Sequence, residues 1–244
     1  MQLAPVRDHL VSQFQRPRGA LGCLAGWILA RRPSNRLRNL WTVEQLALEP
    51  THRVLELGFG PGLAIEACAQ RATAGQVVGV DHSTTMLRAA RRRNRRAIRE
   101  GRVVLHAGRF ERLDELGLGA PFDRILAVNA LMFADEPEAQ LRSLGARLRP
   151  GGRIAITFQS RRAGATSEDS KRGGEQLCDA LRRAGLQHVR MEELPLKPVA
   201  AVCVLGERAY RTADAGSGYE PASTSTASAS RPMPISMSRC DSEA

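Results

Sequence analysis

VLELGFGPGLA (residues 54–64) is the stretch that fixes how the rest of the chain is read. Val54, Leu55, Glu56 and Leu57 make a short, mostly apolar run of the length a buried strand needs. Glycines follow at alternate positions, Gly58, Gly60 and Gly62, and residues 63–68 (LAIEAC) then read as a helix. Glycine admits positive φ, and its missing Cβ lets a ligand lie against the backbone. Strand, glycine turn and helix are the first half of a nucleotide-binding unit. A second strand is expected at 76–80 (QVVGV), with Asp81 at its C-terminal end. An acid there can accept hydrogen bonds from ribose hydroxyls, or serve as a helix-capping carboxylate.

The glycine spacing separates two kinds of nucleotide. A dinucleotide fingerprint, G-x-G-x-x-G, needs its third glycine where this chain has Leu63. The pattern is instead E-x-G-x-G-x-G, with Glu56 two residues before the first glycine. Three more stretches follow in order: GVDHSTTML (79–87), FDRILAVNALMF (122–133) and LRPGGRIAITF (148–158). Together these motifs resemble the class I S-adenosylmethionine (SAM) methyltransferases, in particular the small bacterial enzymes called type 11. The resemblance implies SAM as cofactor, with Glu56 on the methionine ammonium, Gly58, Gly60 and Gly62 as the cofactor loop, and Asp81 on the ribose. It puts His82 near the adenine and Asn129 near the methionine moiety and substrate, or in a structural role at its strand end. It also implies an α/β fold: a Rossmann-like, doubly wound seven-stranded sheet, mostly parallel, closed by a C-terminal antiparallel hairpin. One motif departs from the family. Where the adenine-reading turn usually carries G-D-A, this chain has Gly108-Arg109-Phe110. Arginine cannot accept a hydrogen bond, so the backbone around Phe110 or a neighbouring side chain is expected to read the adenine.

The chain has 244 residues, enough for one well-buried α/β domain. Its net charge is +11, carried almost wholly by arginine, since the only lysines are Lys171 and Lys197. That bias towards Arg and Ala weakens the charge as evidence for a polyanionic partner. Cys23, Cys68, Cys178, Cys203 and Cys240 are scattered and lack a C-x-x-C pair. They point to a reducing compartment, the cytoplasm, with neither a disulfide framework nor a zinc site. The longest apolar run, 20–30, is too short for a membrane-spanning helix, and Arg31-Arg32-Pro33 follows it in place of a cleavage site. No transmembrane segment is expected.

Residues 1–49 read as an N-terminal helical extension, with one helix at 20–32 and a second after Pro33. Leu37, Leu40, Trp41 and Leu48, with Glu44 among them, give the second helix an apolar stripe. The pair would pack against the sheet edge or form a lid over the cofactor mouth. The SAM-binding domain is expected at 50–207. Within it, helices are read at 83–100, 137–148 and 175–184, the last ended by Gly185, and strands at 103–106, 123–128, 153–158, 189–193 and 200–205. Residues 164–174 read as a polar loop. From 208 to 244 the composition lacks core-forming residues and reads as a disordered tail.

The function this implies is methyl transfer from SAM to a small-molecule or lipid-like acceptor. No residue stands out as a general base. The N/D-P-P-Y/F signature of amino-group nucleic-acid methyltransferases is absent, since Ala130 follows Asn129. A nicotinamide-dependent oxidoreductase is the alternative, opposed by Leu63 and by the lack of a Tyr-x-x-x-Lys pair at Tyr210 or Tyr219. A non-catalytic SAM-binding or RNA-docking module is a third reading. Arg88, Arg92, Arg95 and Arg99 recur at helical spacing as a solvated face or an anion-binding stripe. With aromatic residues at 4%, stacking platforms are few, which argues against specific nucleic-acid binding.

Overall fold

The computed structural model describes residues 33–119, 121–130, 137–162 and 164–210. The expected helix at 20–32, the loop residues Leu131 and Met132, and the tail from 211 lie outside the described residues.

In chain order the strands are β1 (Arg53–Leu57), β2 (Gln76–Asp81), β3 (Val103–Ala107), β4 (Phe122–Val128), β5 (Leu148–Phe158), β6 (Gln187–Leu194) and β7 (Ala201–Glu207). The helices are α1 (Pro33–Gln45), α2 (Leu63–Arg71), α3 (Thr84–Arg93), α4 (Arg95–Arg99), α5 (Pro137–Arg147) and α6 (Ser167–Arg183). The strands form one sheet in the order β3-β2-β1-β4-β5-β7-β6. The first five are parallel, and β7 runs antiparallel to both β5 and β6. This is the doubly wound seven-stranded sheet with a C-terminal hairpin that the motifs imply.

Both faces of the sheet are buried, which is why its inner strands read as continuous apolar runs. Leu55, Leu57, Ile125, Ala127, Ile154 and Ile156 share one core with Leu141 and Leu144 of α5 and Leu181 of α6. The alternate residues Val54, Leu126 and Ala155 share the other with Val43 of α1, Ile65 of α2 and Leu87 of α3. Each fully buried aliphatic side chain of this kind contributes about 1.5–3 kcal/mol.

Four expectations need correction. First, the stripe on α1 is rotated. Leu37 is 54% exposed, while Arg38, Asn39, Thr42 and Val43 are buried. The buried polar groups are answered by hydrogen bonds, which lets a polar face serve as the inner one. Thr42 Oγ1 donates to the Arg38 carbonyl at 2.8 Å and lies 2.6 Å from Thr157 Oγ1 on β5. Leu40, Trp41 and Leu48 pack only partly buried beside this core. The helix therefore lies across the inner strands β4 and β5, not at the sheet edge.

Second, the helix expected at 83–100 breaks at Asn94, whose side-chain amide donates to the Gly62 carbonyl at 3.2 Å and the Ala90 carbonyl at 3.0 Å. Third, the polar stretch before residue 175 is mostly helix. Thr166 caps α6, and Thr166 and Asp169 form a reciprocal capping box. Gly173 and Gly174 sit inside that helix because a Cβ on either would meet Phe158 or Met191 within 2.5 Å. Fourth, ordered pairing continues past 207. The Arg208 amide donates to the Gly152 carbonyl, and the Gly151 amide to the Arg208 carbonyl, both at 2.9 Å.

Among the described residues no helix is long and apolar enough to cross a membrane, and no cluster of His, Cys, Asp or Glu is built to hold a metal ion. Cys68, Cys178 and Cys203 are free and buried.

Candidate active site

The parallel register aligns the carboxyl ends of the central strands: Leu57 of β1 stands opposite Val80 of β2 and Ala127 of β4. Ligands of open α/β sheets bind beyond such ends. The chain leaving β1 first donates from the Gly58 amide to the Val80 carbonyl at 2.8 Å, then turns through three positive φ angles, 68°, 50° and 79° at Gly58, Gly60 and Gly62.

The three glycines answer to different neighbours. A Cβ at Gly58 would stand 2.4 Å from that of Ala130 and 3.4 Å from the Phe110 ring. At Gly62 it would stand 2.6 Å from Asn94 Nδ2 and 2.9 Å from the Ala90 Cβ. Those two positions are demanded by packing. At Gly60 a Cβ would meet nothing within 4 Å, so this glycine alone borders open space.

Asp81 joins that loop to β2. Its Oδ2 accepts from the Gly60 amide at 2.9 Å and its Oδ1 from the Ser83 amide at 2.8 Å. Burial pushes its carboxyl above the usual range, while the Ser83 and Gly60 amides pull it back. Each oxygen keeps a further lone pair for a hydroxyl donor. His82 is half-exposed, its Nδ1 3.9 Å from Asp81 Oδ1.

Glu56 is the unusual group. It is 1% exposed, and its Oε2 is buried without a hydrogen-bond partner. Burial, and then the charge of Asp81, push its carboxyl up to about 8 against the opposing pull of the Ile65 amide. A buried, unanswered acceptor of this kind suits a cationic donor from a ligand.

On the other side of β1, Asn129 follows β4 with φ of 53°. Its Oδ1 accepts from the Gln159 amide at 2.8 Å, and its own amide donates to the Thr157 carbonyl at 2.8 Å. Its Nδ2 is buried and has no partner. Phe110 opens a 3-10 turn, Phe110–Leu116, and its carbonyl accepts from Gln140 Nε2 at 2.7 Å. Glu56, Gly58, Gly60, Gly62, Asp81, Phe110 and Asn129 thus gather about the ends of β1, β2 and β4, and His82 stands at the rim.

Sequence patterns did not reveal Asn94, Gln140, Gln159 or Arg38. The first holds the loop at Gly62, the second occupies the Phe110 carbonyl, and the third fixes Asn129. Arg38 reaches Gln159 from α1. Arg38 left no signal in the sequence, because polar residues run along most of α1.

The arrangement fits SAM on its own evidence. Glu56 offers an unanswered acceptor for an ammonium, Asp81 offers lone pairs for a diol, and Gly60 leaves its side of the loop clear.

A family model for the methyltransferase domain matches residues 54–152. An uncharacterised methyltransferase of Bacillus subtilis, YdaC, is 31% identical over 186 residues, covering 76% of this chain and 98% of that protein. A trans-aconitate 2-methyltransferase of Variovorax paradoxus is 35% identical over 48% of this chain and 42% of its own length. The N-methyltransferase NodS of Bradyrhizobium japonicum, solved with S-adenosyl-L-homocysteine, shares the fold. Its TM-score is 0.59 at 16% identity, over 82% of this chain and 97% of that one.

Proposed function

The chain belongs to the class I SAM-dependent methyltransferases, and from that premise we propose that it methylates a small-molecule or lipid-like acceptor held beyond the ends of β4 and β5. The observation that carries this reading is the unanswered Glu56 oxygen beside the open flank of Gly60.

When bound, the cofactor supplies a methyl group already activated on a sulfonium, so the protein's work is binding and alignment. Glu56 takes the methionine ammonium, and in doing so a buried acid raised towards about 8 gains the cation that favours its ionised form. Asp81 takes ribose hydroxyls while its bonds to the Gly60 and Ser83 amides hold the loop in shape. Gly58 and Gly62 keep that shape by packing against Ala130 and Asn94. Arg109 takes the place of the family's adenine-reading acid, so the backbone of the next residue, Phe110, takes over the adenine, with its carbonyl steadied by Gln140. Asn129 presents its Nδ2 at the end of β4, and the Gln159 amide sets its orientation. His82 closes the rim by the adenine.

A small acceptor is supported by the likeness to an enzyme named for a small acid. The test is methyl transfer from labelled SAM to a bacterial extract fractionated into small molecules, lipids and RNA. Label is expected in the small-molecule or lipid fraction. Label confined to RNA would overturn the acceptor class.

A further inference from the structure

Arg38 lies in α1 and is 1% exposed. One guanidinium nitrogen donates to Gln159 Oε1, another donates to Asn35 Oδ1 at 2.7 Å, and Nε is buried with no partner. Among the described residues no carboxylate pairs with it. A buried cation without a counter-charge is costly, and proteins usually neutralise or pair such groups. Burial, and then the charge of Arg161, lower its pKa to about 9, which still leaves it charged at neutral pH. A link made only to pin α1 to the sheet needs no charge: Thr42 and Thr157 make one with two hydroxyls.

Gln159 connects this cation to the candidate site. Its Oε1 takes Arg38, its amide donates to Asn129 Oδ1 at 2.8 Å, and its Nε2 donates to the Val199 carbonyl at 2.6 Å. Both polar atoms of the Gln159 side chain thus have a partner, and the buried nitrogens left with none along this run are Arg38 Nε and Asn129 Nδ2. Two unanswered donor nitrogens and one uncompensated positive charge are the complement of a carboxylate.

Position separates this carboxylate from the cofactor's. The sheet order runs β2-β1-β4-β5, with Asp81 ending β2, Glu56 on β1, Asn129 after β4 and Gln159 after β5. At about 4.8 Å between strands, Gln159, which holds Arg38, follows a strand roughly 10 Å along the sheet from that of Glu56.

We propose that Arg38 and Asn129 form an anion subsite for a carboxylate carried by the acceptor. Resting on the cofactor reading above, it narrows the acceptor to a small organic acid. The carboxylate anchors the molecule, and a different atom of it receives the methyl group.

The test is calorimetry on the full chain, with and without saturating S-adenosylhomocysteine, using succinate and benzoate against their neutral amides. Wild type is expected to bind at least one carboxylate at least tenfold more tightly than its amide. Arg38→Gln should erase that preference and Arg38→Lys should keep it, with S-adenosylhomocysteine affinity unchanged in both. Equal binding of acid and amide by wild type, or an intact preference in Arg38→Gln, overturns the subsite. Loss of S-adenosylhomocysteine affinity in Arg38→Gln would assign the cation to the cofactor's own carboxylate, and also overturns it. If Arg38→Gln does not fold, the acid-over-amide preference of wild type and Arg38→Lys decides. Failure of wild type to bind S-adenosylhomocysteine would count against the cofactor reading instead, because the carboxylate preference is also read without it.

Discussion

The hydroxyls of Thr42 and Thr157 stand 2.6 Å apart, and the two residues are 0% and 1% exposed. A surface lid does not make such a contact. It places α1 within the fold, over β4 and β5, together with the fully buried Val43 and Leu46. Removing those two aliphatic side chains alone forfeits about 3–6 kcal/mol, against a typical domain stability of about 5–15 kcal/mol. A chain shortened to begin at Thr51 is therefore expected to lose its cooperative thermal transition, followed by circular dichroism. Retention of that transition together with cofactor affinity would restore α1 to the role of a lid.

Gly60 and Gly62 should part company on substitution, although both have positive φ. Gly62→Ala forces a Cβ to within 2.9 Å of Asn94 and Ala90. It should cost about 2–4 kcal/mol, from left-handed backbone strain and overpacking together. Gly60→Ala meets no neighbour and should cost only the backbone part, about 1–2 kcal/mol. Its methyl group instead enters the space a ligand needs. Denaturant unfolding and calorimetry on both variants should give stability loss dominant at Gly62 and affinity loss dominant at Gly60.

Glu56 is expected to make cofactor binding depend on pH. Its folded pKa is raised to about 8 from an ordinary 4.5, so the folded protein holds this proton more tightly than the unfolded chain does. The associated stability is fully present below about pH 4.5 and is lost as pH rises through about 8. An ammonium beside the carboxylate reverses that loss. Binding of S-adenosylhomocysteine near pH 7 should thus release up to one proton from wild type, a release that Glu56→Gln lacks. Calorimetry in buffers of different ionisation enthalpy measures it. Equal proton release in the two proteins would remove Glu56 from the ammonium site.

What the sequence could show follows from the physics of each element. The central strands were legible because burial on both faces writes them as apolar runs, and the loop was legible because its three positive φ angles, with close packing at Gly58 and Gly62, favour glycine. The inner face of α1 was not legible. Arg38, Asn39 and Thr42 are buried through hydrogen bonds to Asn35, Gln159 and Thr157, residues up to 121 positions away, and such pairing leaves no hydrophobic period. Gly173 and Gly174 looked like loop for the same kind of reason: their place in α6 is set by Phe158, Met191 and Val202 on the strands beneath. Asn94 broke the helix after α3 because its amide bonds to Gly62, an interaction spanning 32 positions. At the site, Glu56, Asp81 and the glycines carried a motif, whereas Gln140 and Gln159 act through bonds to distant backbone groups and carry none.

Asp81 tests the central claim most directly, since the Gly60 loop and the proposed ribose contact both depend on its carboxylate. The measurement is calorimetric titration of wild type and Asp81→Ala with S-adenosylhomocysteine, and of wild type with NAD. Wild type is expected to bind S-adenosylhomocysteine at one site and to leave NAD unbound. Asp81→Ala should remain folded with affinity lowered about 10- to 100-fold, as expected for losing hydrogen bonds to a charged group. Wild-type affinity in Asp81→Ala, or tight NAD binding by the unaltered chain, would contradict the assignment of this crevice.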